Sequence, residues 1–588
     1  MTGVAGGRIT GESLDEMVDS MCHEEWYGRE QFEDGRYGLG LLYHGEKDPG
    51  GHTVWRDDGK AGVIHGAVSN LDDLGMSEGD LFEALLDRPA SVLREVDGPF
   101  VIAAVDPDAD AAVVATDKIG SRQCYYSTED GFLFGSEVKS VLTQLGEATV
   151  DEQGVSDLLT IGHMWGEKTL VEEVSAVPPG TVLEYRDGNV TRERYWEFDF
   201  GESTSDQYVE EMVRKYRATI DDMSKTMDGT VGLWLSGGLD SRSMASELRR
   251  NSDSLVTFTY DANPAGGGNP ELARRVAGNL GVENVEIELT PEHFLDTVEK
   301  SVGIVDGMVA WNMFLNLSST YNVPPERADL LLEASGQGGL LGYDVWEPYL
   351  QRSESPEEAL YQSDHLTDKE TAQRLLDFDV DPLDSYRDEV ARSTESSFRN
   401  RVLDSYYRNF YSRGDFASNR IAQTQFGTRV PFAHGEFLDH ITDMPSKYRT
   451  RAVPFTGGKV PYGTAPLKLE LQRALNHGLE DIPYERTKVA PSRPLWQHAA
   501  GFVISKSYDR LKSKTTYGGK TMIGEWYRNH DEFREYLDGL IADAADRPFF
   551  DEDVLRELQY DLLRAEGSMS PLASVTTLEI WLQEHVDA

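Results

Sequence analysis

LWLSGGLDSRSMA, residues 233–245, decides how this chain is read. The apolar run VGLWL (231–235) breaks at Ser236-Gly237-Gly238-Leu239-Asp240-Ser241, and SMASELRRN (243–251) then takes up helical spacing. The pattern predicts a buried strand, a glycine turn and the start of a helix. Free backbone N–H groups at a helix start, with the positive end of the helix dipole, make an anion site. Glycines let the backbone close around phosphate oxygens, and the hydroxyls of Ser236 and Ser241 add donors. Asp240 would be repelled by a bare phosphate, but it suits Mg²⁺ on a leaving pyrophosphate. There is no GxxxxGK[ST], so this is not the common P-loop. Leu235, Ser236, Gly237, Gly238, Asp240 and Ser241 are therefore candidate phosphate-binding residues, with Asp240 the candidate metal ligand.

Outward from this turn the chain divides in two. Residues 1–204 read as short strands and turns with a few helices; VIAAVDPDADAAVVATD (101–117) and QCYYSTEDGFLFGSE (123–137) are hairpin signals. GESTSDQ (201–207) is a polar, serine-rich junction. From 205 to 588, strands such as SLVTFTY (254–260) alternate with helical patterns, which predicts a parallel α/β sheet. Residues 350–400 carry many acids at helical spacing and read as a solvated surface insertion.

With 588 residues the chain exceeds one hydrophobic core. Its 103 acidic residues against 56 basic ones leave a net charge of −47, which excludes nucleic acid and anionic membrane surfaces as expected partners. The acids are scattered, so they do not form an interaction tail. A high-salt cytosol accounts for them, since carboxylates hold hydration while salt screens their repulsion; an ordinary acidic protein is the plainer alternative. Cys22 and Cys124 are too few for a disulfide framework and fit a reducing cytoplasm. No signal peptide and no membrane span are expected.

The glycine turn resembles the pyrophosphate loop of the N-type ATP pyrophosphatases. LREVDGPFVIAAVD (93–106), TDKIGSRQCYY (116–126) and GSEVKSVL (135–142) extend the resemblance through the first half. ELARRVAGNLG (271–281), EASGQGG (333–339), FGTRVPF (426–432), APLKLELQRAL (465–475), ERTKVAPSRP (485–494) and LASVTTLEIW (572–581) extend it through the second. In this order and spacing they resemble the glutamine-hydrolysing (class B) asparagine synthetases and their β-lactam synthetase relatives. The resemblance implies an Ntn-hydrolase-like αββα sandwich of the class II glutamine amidotransferase type over 1–204. It implies a parallel-sheet ATP pyrophosphatase domain, adenine nucleotide α-hydrolase-like, over 205–588. It also implies adenylation of a carboxylate, aspartate by default, with release of pyrophosphate. Attack by ammonia or another amine then releases AMP. A fixed cation would stabilise the charge that develops, and Lys468 aligns with the family's catalytic lysine. Phe258 and Tyr260 occupy the adenine region, Ser335 and Gly336 the second nucleotide loop, and relatives often pair through their N-terminal domains.

The sequence also departs from the family. Glutaminase members begin Met-Cys-Gly, whereas this chain begins Met1-Thr2-Gly3. The family's Asn-Gly-Glu is His65-Gly66-Ala67. These changes imply a lost glutaminase, although threonine serves as a nucleophile elsewhere. The family's Ser-Gly-Glu-Gly-Ser-Asp-Glu is Ser335-Gly336-Gln337-Gly338-Gly339-Leu340-Leu341. Gln337 is neutral where a carboxylate helps order the reaction, and Leu340 replaces an aspartate that would help bind Mg²⁺. Asp344 is a candidate substitute. Two functions compete: an ATP-dependent amide ligase, or a catalytically weak nucleotide-binding scaffold that keeps the fold.

Overall fold

The computed structural model describes residues 2–587 apart from 130, 262–268, 315, 343–348, 450, 458, 476 and 513–519. Asp344 lies outside the described residues.

The first half is built from two six-stranded sheets. One carries Gly3–Gly7 between Tyr37–Tyr43 and Leu133–Gly135. The other runs from Asn189–Arg194 through Thr181–Arg186, Ala111–Thr116, Phe100–Asp106 and Lys60–Gly66 to His52–Asp57. Every pairing in them is antiparallel. Both hairpins read from sequence are present: Asp106 pairs with Ala111, and Tyr125–Ser127 pairs with Leu133–Gly135. A third closes at Asp187-Gly188, where both residues take positive φ (49° and 88°), as a two-residue turn matched to strand twist requires.

Alternation along the strands sends side chains to two faces, and each face is covered. Val4, Leu39 and Leu41 from one sheet meet Val63, Val101, Ala103, Val114 and Leu183 from the other. On the outside of the second sheet, Ile64, Ile102 and Val113 pack under Leu81, Phe82 and Leu85 of the helix Glu78–Asp87. On the outside of the first, Ala5 and Leu42 pack under Leu14, Met17 and Val18 of Glu12–Ser20. The result is an αββα sandwich.

The second half is organised by a four-stranded parallel sheet in the order Glu283–Ile287, Leu255–Tyr260, Val231–Trp234, Leu330–Leu332. The chain steps outward from Val231–Trp234 through two helical crossovers and then returns to its other side. That reversal opens a crevice at the carboxyl ends of Val231–Trp234 and Leu330–Leu332, where open α/β sheets place their ligands.

No helix or strand spans 195–207. Packing nonetheless crosses that stretch: the helix Ser570–His585, buried on all faces along most of its length, shares one core with Leu14, Met17 and Val155. Residues 350–400 correct the expectation of a solvated insertion. Leu360, Leu375, Tyr386 and Val390 are core residues, and Glu389 is buried against Arg408. Charged residues on the outer faces of three short helices dominate the sequence pattern there and mask the apolar inner faces. Cys22 and Cys124 are unpaired. Among the described residues no helix is long and apolar enough to cross a membrane.

Candidate active site

Leu235 continues the pairing of its strand by one residue, its N–H donating to the Phe258 carbonyl at 2.7 Å. The chain then turns. Ser236 N–H donates to Ser241 Oγ at 3.1 Å, the two serine hydroxyls lie 3.0 Å apart, and Gly238 N–H donates to Ser236 Oγ at 3.1 Å. The turn is thus knotted by its own hydroxyls before the helix Asp240–Asn251 begins. That helix has no side-chain cap at its start, so the N–H groups of its first turn have no internal partner. A Cβ at Gly237 would be crowded, standing 3.1 Å from side-chain atoms of Leu272 and Glu485.

Asp240 opens the helix and faces Lys468 on the helix Pro466–Leu475. Lys468 Nζ donates to Asp240 Oδ2 at 2.7 Å, and Lys468 is almost fully buried. The other oxygen, Oδ1, is buried and accepts nothing. A carboxylate with one oxygen on an ammonium and the other unsatisfied fits a site that gains a cation with its ligand. Space exists beside it: a Cβ on Gly338 would meet nothing nearer than Asp240 Oδ2 at 3.9 Å and Lys468 Nζ at 4.0 Å. Residues 228 apart in sequence therefore surround one opening with the 335–341 loop.

Gln337 is fully buried at the start of the short helix Gln337–Leu340. Its Oε1 accepts from Tyr216 at 3.1 Å, which turns the amide so that Nε2 is left without an acceptor. Ser335 donates to Glu333 at 3.1 Å. Gly336, at φ 79°, donates its N–H to Asp415 Oδ2. Leu340 points into the core, fully buried. Phe258 is likewise a core residue, in a cluster with Trp234 and Leu331. What it presents at the turn is backbone. Tyr260, half-buried, stacks edge-on against Trp234 at 5.3 Å.

Asp415 and Glu333 belong to this crevice and escape the sequence reading. Burial pushes Asp415 up to about 6, with the negative charges of Glu333 and Asp240 adding to it and the Gly336 N–H opposing. Asp415 lies 80 or so residues beyond the loop it holds, in a stretch whose only sequence signal is the nearby FGTRVPF. Glu333 stood inside the quoted EASGQGG but carries no spacing that marks it.

The N-terminal pocket is built differently. Thr2 Oγ1 lies 3.1 Å from His65 Nε2, and Arg122 Nη1 lies 2.9 Å from the same nitrogen. A guanidinium only donates, so Nε2 is the acceptor and its one lone pair is engaged. Burial, and after it the charge of Arg122, holds His65 well below its ordinary range. Gly66, at φ 111°, has no space for a Cβ, which would fall 2.0 Å from the Pro99 carbonyl oxygen. Arg122 also donates to the Thr428 carbonyl at 3.0 Å, across the junction of the two halves. Arg122 sits within TDKIGSRQCYY, yet nothing in that string distinguishes it from a surface arginine.

The asparagine synthase family model matches residues 217–583, and a glutamine amidotransferase domain model matches 80–196. Asparagine synthetase [glutamine-hydrolyzing] 1 of Bacillus subtilis (strain 168) is 24% identical over 464 residues, covering 76% of this chain and 71% of that protein. Amidase chyE of Penicillium rubens is 23% identical over 299 residues, covering 47% of this chain and 42% of that protein. A solved glutamine phosphoribosylpyrophosphate amidotransferase of B. subtilis, complexed with ADP and GMP, is 11% identical with a TM-score of 0.25, over 49% of this chain and 91% of that one. With a knotted glycine turn, a facing lysine and a matched model spanning both, the chain belongs to the asparagine synthase family.

Proposed function

We propose that the chain is an ATP-dependent carbon–nitrogen ligase. It adenylates a carboxylate, aspartate by default, with loss of pyrophosphate, and ammonia or another amine then displaces AMP. The observation that carries this reading is the Asp240–Lys468 pair, with Asp240 Oδ1 unsatisfied at an uncapped helix start. In this reading the turn from Leu235 to Ser241 and the loop at Ser335 and Gly336 hold the phosphates. Tyr260 and the backbone at Phe258 border the adenine. Mg²⁺ held by Asp240 would supply charge neutralisation on the departing pyrophosphate. Lys468, beside Asp240 at the opening, would stabilise the charge that develops at the reacting centre. Gln337 offers an N–H where relatives offer a carboxylate, so it orients an acceptor oxygen and takes up no proton.

The N-terminal pocket is read as a retired glutaminase. His65-Gly66-Ala67 stands where glutaminase relatives carry Asn-Gly-Glu, and His65 is buried with its Nε2 lone pair taken by Arg122, so that nitrogen donates nothing to a substrate. The division at 204/205, a reducing and saline cytoplasm, and pairing through the N-terminal half complete the proposal. A second reading, a nucleotide-binding scaffold without turnover, is favoured by one observation: Leu340 is locked into the core and offers the metal no ligand.

The test is pyrophosphate release from ATP in molar KCl with Mg²⁺. The ligase reading expects release that needs both a carboxylate and ammonium, and that fails when glutamine replaces ammonium. Release supported by glutamine would restore Thr2 as a nucleophile. ATP binding without release across a panel of carboxylates would establish the scaffold.

A further inference from the structure

A cavity of about 30 Å³ lies on the seam between the two halves, beside the N-terminal pocket, with which it shares Arg122. Five arginines line it, Arg122, Arg194, Arg392, Arg408 and Arg413, against two glutamates, Glu167 and Glu389. In a chain of net charge −47 this is a concentration of the scarcer sign. The glutamates do not balance it. Glu389 is already shared between Arg392 at 2.8 Å and Arg408 at 2.6 Å, and Asn409 donates to it as well. Glu167 is shared between Arg392 and Arg192. Asp404 at the margin bonds Arg408. Among the described residues Arg194 has Glu197 at 3.7 Å; Asp404 and Glu389 add attraction from further off, and Arg408 opposes its charge. Arg122 and Arg413 are buried, have no carboxylate within 4.0 Å among the described residues, and each leaves Nε without an acceptor. Burying a guanidinium with no carboxylate bonded to it is unfavourable.

We propose that this seam cavity binds a small inorganic anion of chloride size. The volume suits such an ion, because a single water needs roughly 10–15 Å³ and a nucleotide or sugar phosphate far more. The ion supplies the negative charge that the lining lacks. It also joins the halves, since Arg122 and Arg194 come from the first and Arg392, Arg408 and Arg413 from the second.

The experiment uses the full chain and bromide as the probe. Crystals soaked in bromide are expected to show an anomalous peak between Arg194, Arg408 and Arg413. In solution, replacing chloride by gluconate at constant potassium is expected to lower the melting temperature of the wild type by about 3 °C or more relative to Arg194→Gln, because only the wild type loses a bound ligand. No bromide in the cavity, or the same response to the anion exchange in wild type and variant, overturns the proposal. The diffraction arm needs no variant, so a variant that fails to fold does not shield the idea.

Discussion

At Asp415 one carboxylate carries a pH dependence whose sign can be worked out. Its folded value of about 6 lies above the ordinary 3.8, so the folded state favours the protonated form. The penalty for keeping it ionised is full above pH 6 and disappears as pH falls towards 3.8. Asp415→Asn keeps an acceptor for the Gly336 N–H and removes that penalty. It should therefore stabilise the protein by on the order of 2–3 kcal/mol at pH 7.5, and by much less at pH 4.5. Urea unfolding at the two pH values checks this; an equal effect at both would mean the carboxylate is not strained. Leu340→Asp, the substitution that restores the family's residue, should fail to restore metal binding and should destabilise by roughly 3–5 kcal/mol, because it buries an unpaired charge. Gln337→Glu fits the same space and keeps the Tyr216 hydrogen bond, but it too buries a carboxylate, so it should raise turnover only once Mg²⁺ and ATP are bound; turnover no higher than wild type at saturating Mg²⁺ and ATP would contradict this. Asp240→Ala should abolish pyrophosphate release; unchanged release would remove Asp240 from the mechanism.

Among the elements, the glycine turn was legible because its chemistry is local. Six consecutive residues state the strand end, the bend and the donors, and the structure assembles them as written. The hairpin at 101–117 was legible for the same reason. Phe258 shows where legibility stops: a strand residue alternates between two faces, and only the neighbouring strand and the core tell which face holds the ligand. Arg122 and Asp415 show the other limit. Each matters through a partner far off in sequence, Thr428 and Gly336, and no single sequence records such a pairing. The helix Ser570–His585 gave a motif match but no sign that it packs against the opposite half. Replacing its buried Trp581 by Ala should cost roughly 3–5 kcal/mol and lower the stability of both halves together. Calorimetry would show a single shifted transition; a shift confined to one of two transitions would contradict a shared core.

For the whole molecule the governing quantities are charge and the seam. A net charge of −47 makes the compact state repel itself, and salt screens that repulsion. Melting temperature should rise steeply between about 0.1 and 1 M KCl, where the screening length falls from roughly 10 to 3 Å. A flat profile would dissociate the composition from salt. Beside the shared apolar core, the seam carries buried ion pairs: Arg429 forks onto both oxygens of Asp48 at 2.9 and 2.7 Å, and Lys118 meets Asp97, which also accepts from Gly435 N–H. These pairs fix the angle between the halves more than they hold them together.

One stretch, 408–435, supplies the seam with Arg408, Arg413, Thr428, Arg429 and Gly435, and supplies the crevice with Asp415. A chimera that grafts the first half of a relative onto this chain at the 201–207 junction would cut the backbone at a clean place and the interface at the wrong one. The unit that must travel with the first half is discontinuous. An exchange that carries 408–435 along keeps the seam matched, but it brings a foreign Asp415 neighbourhood into the crevice.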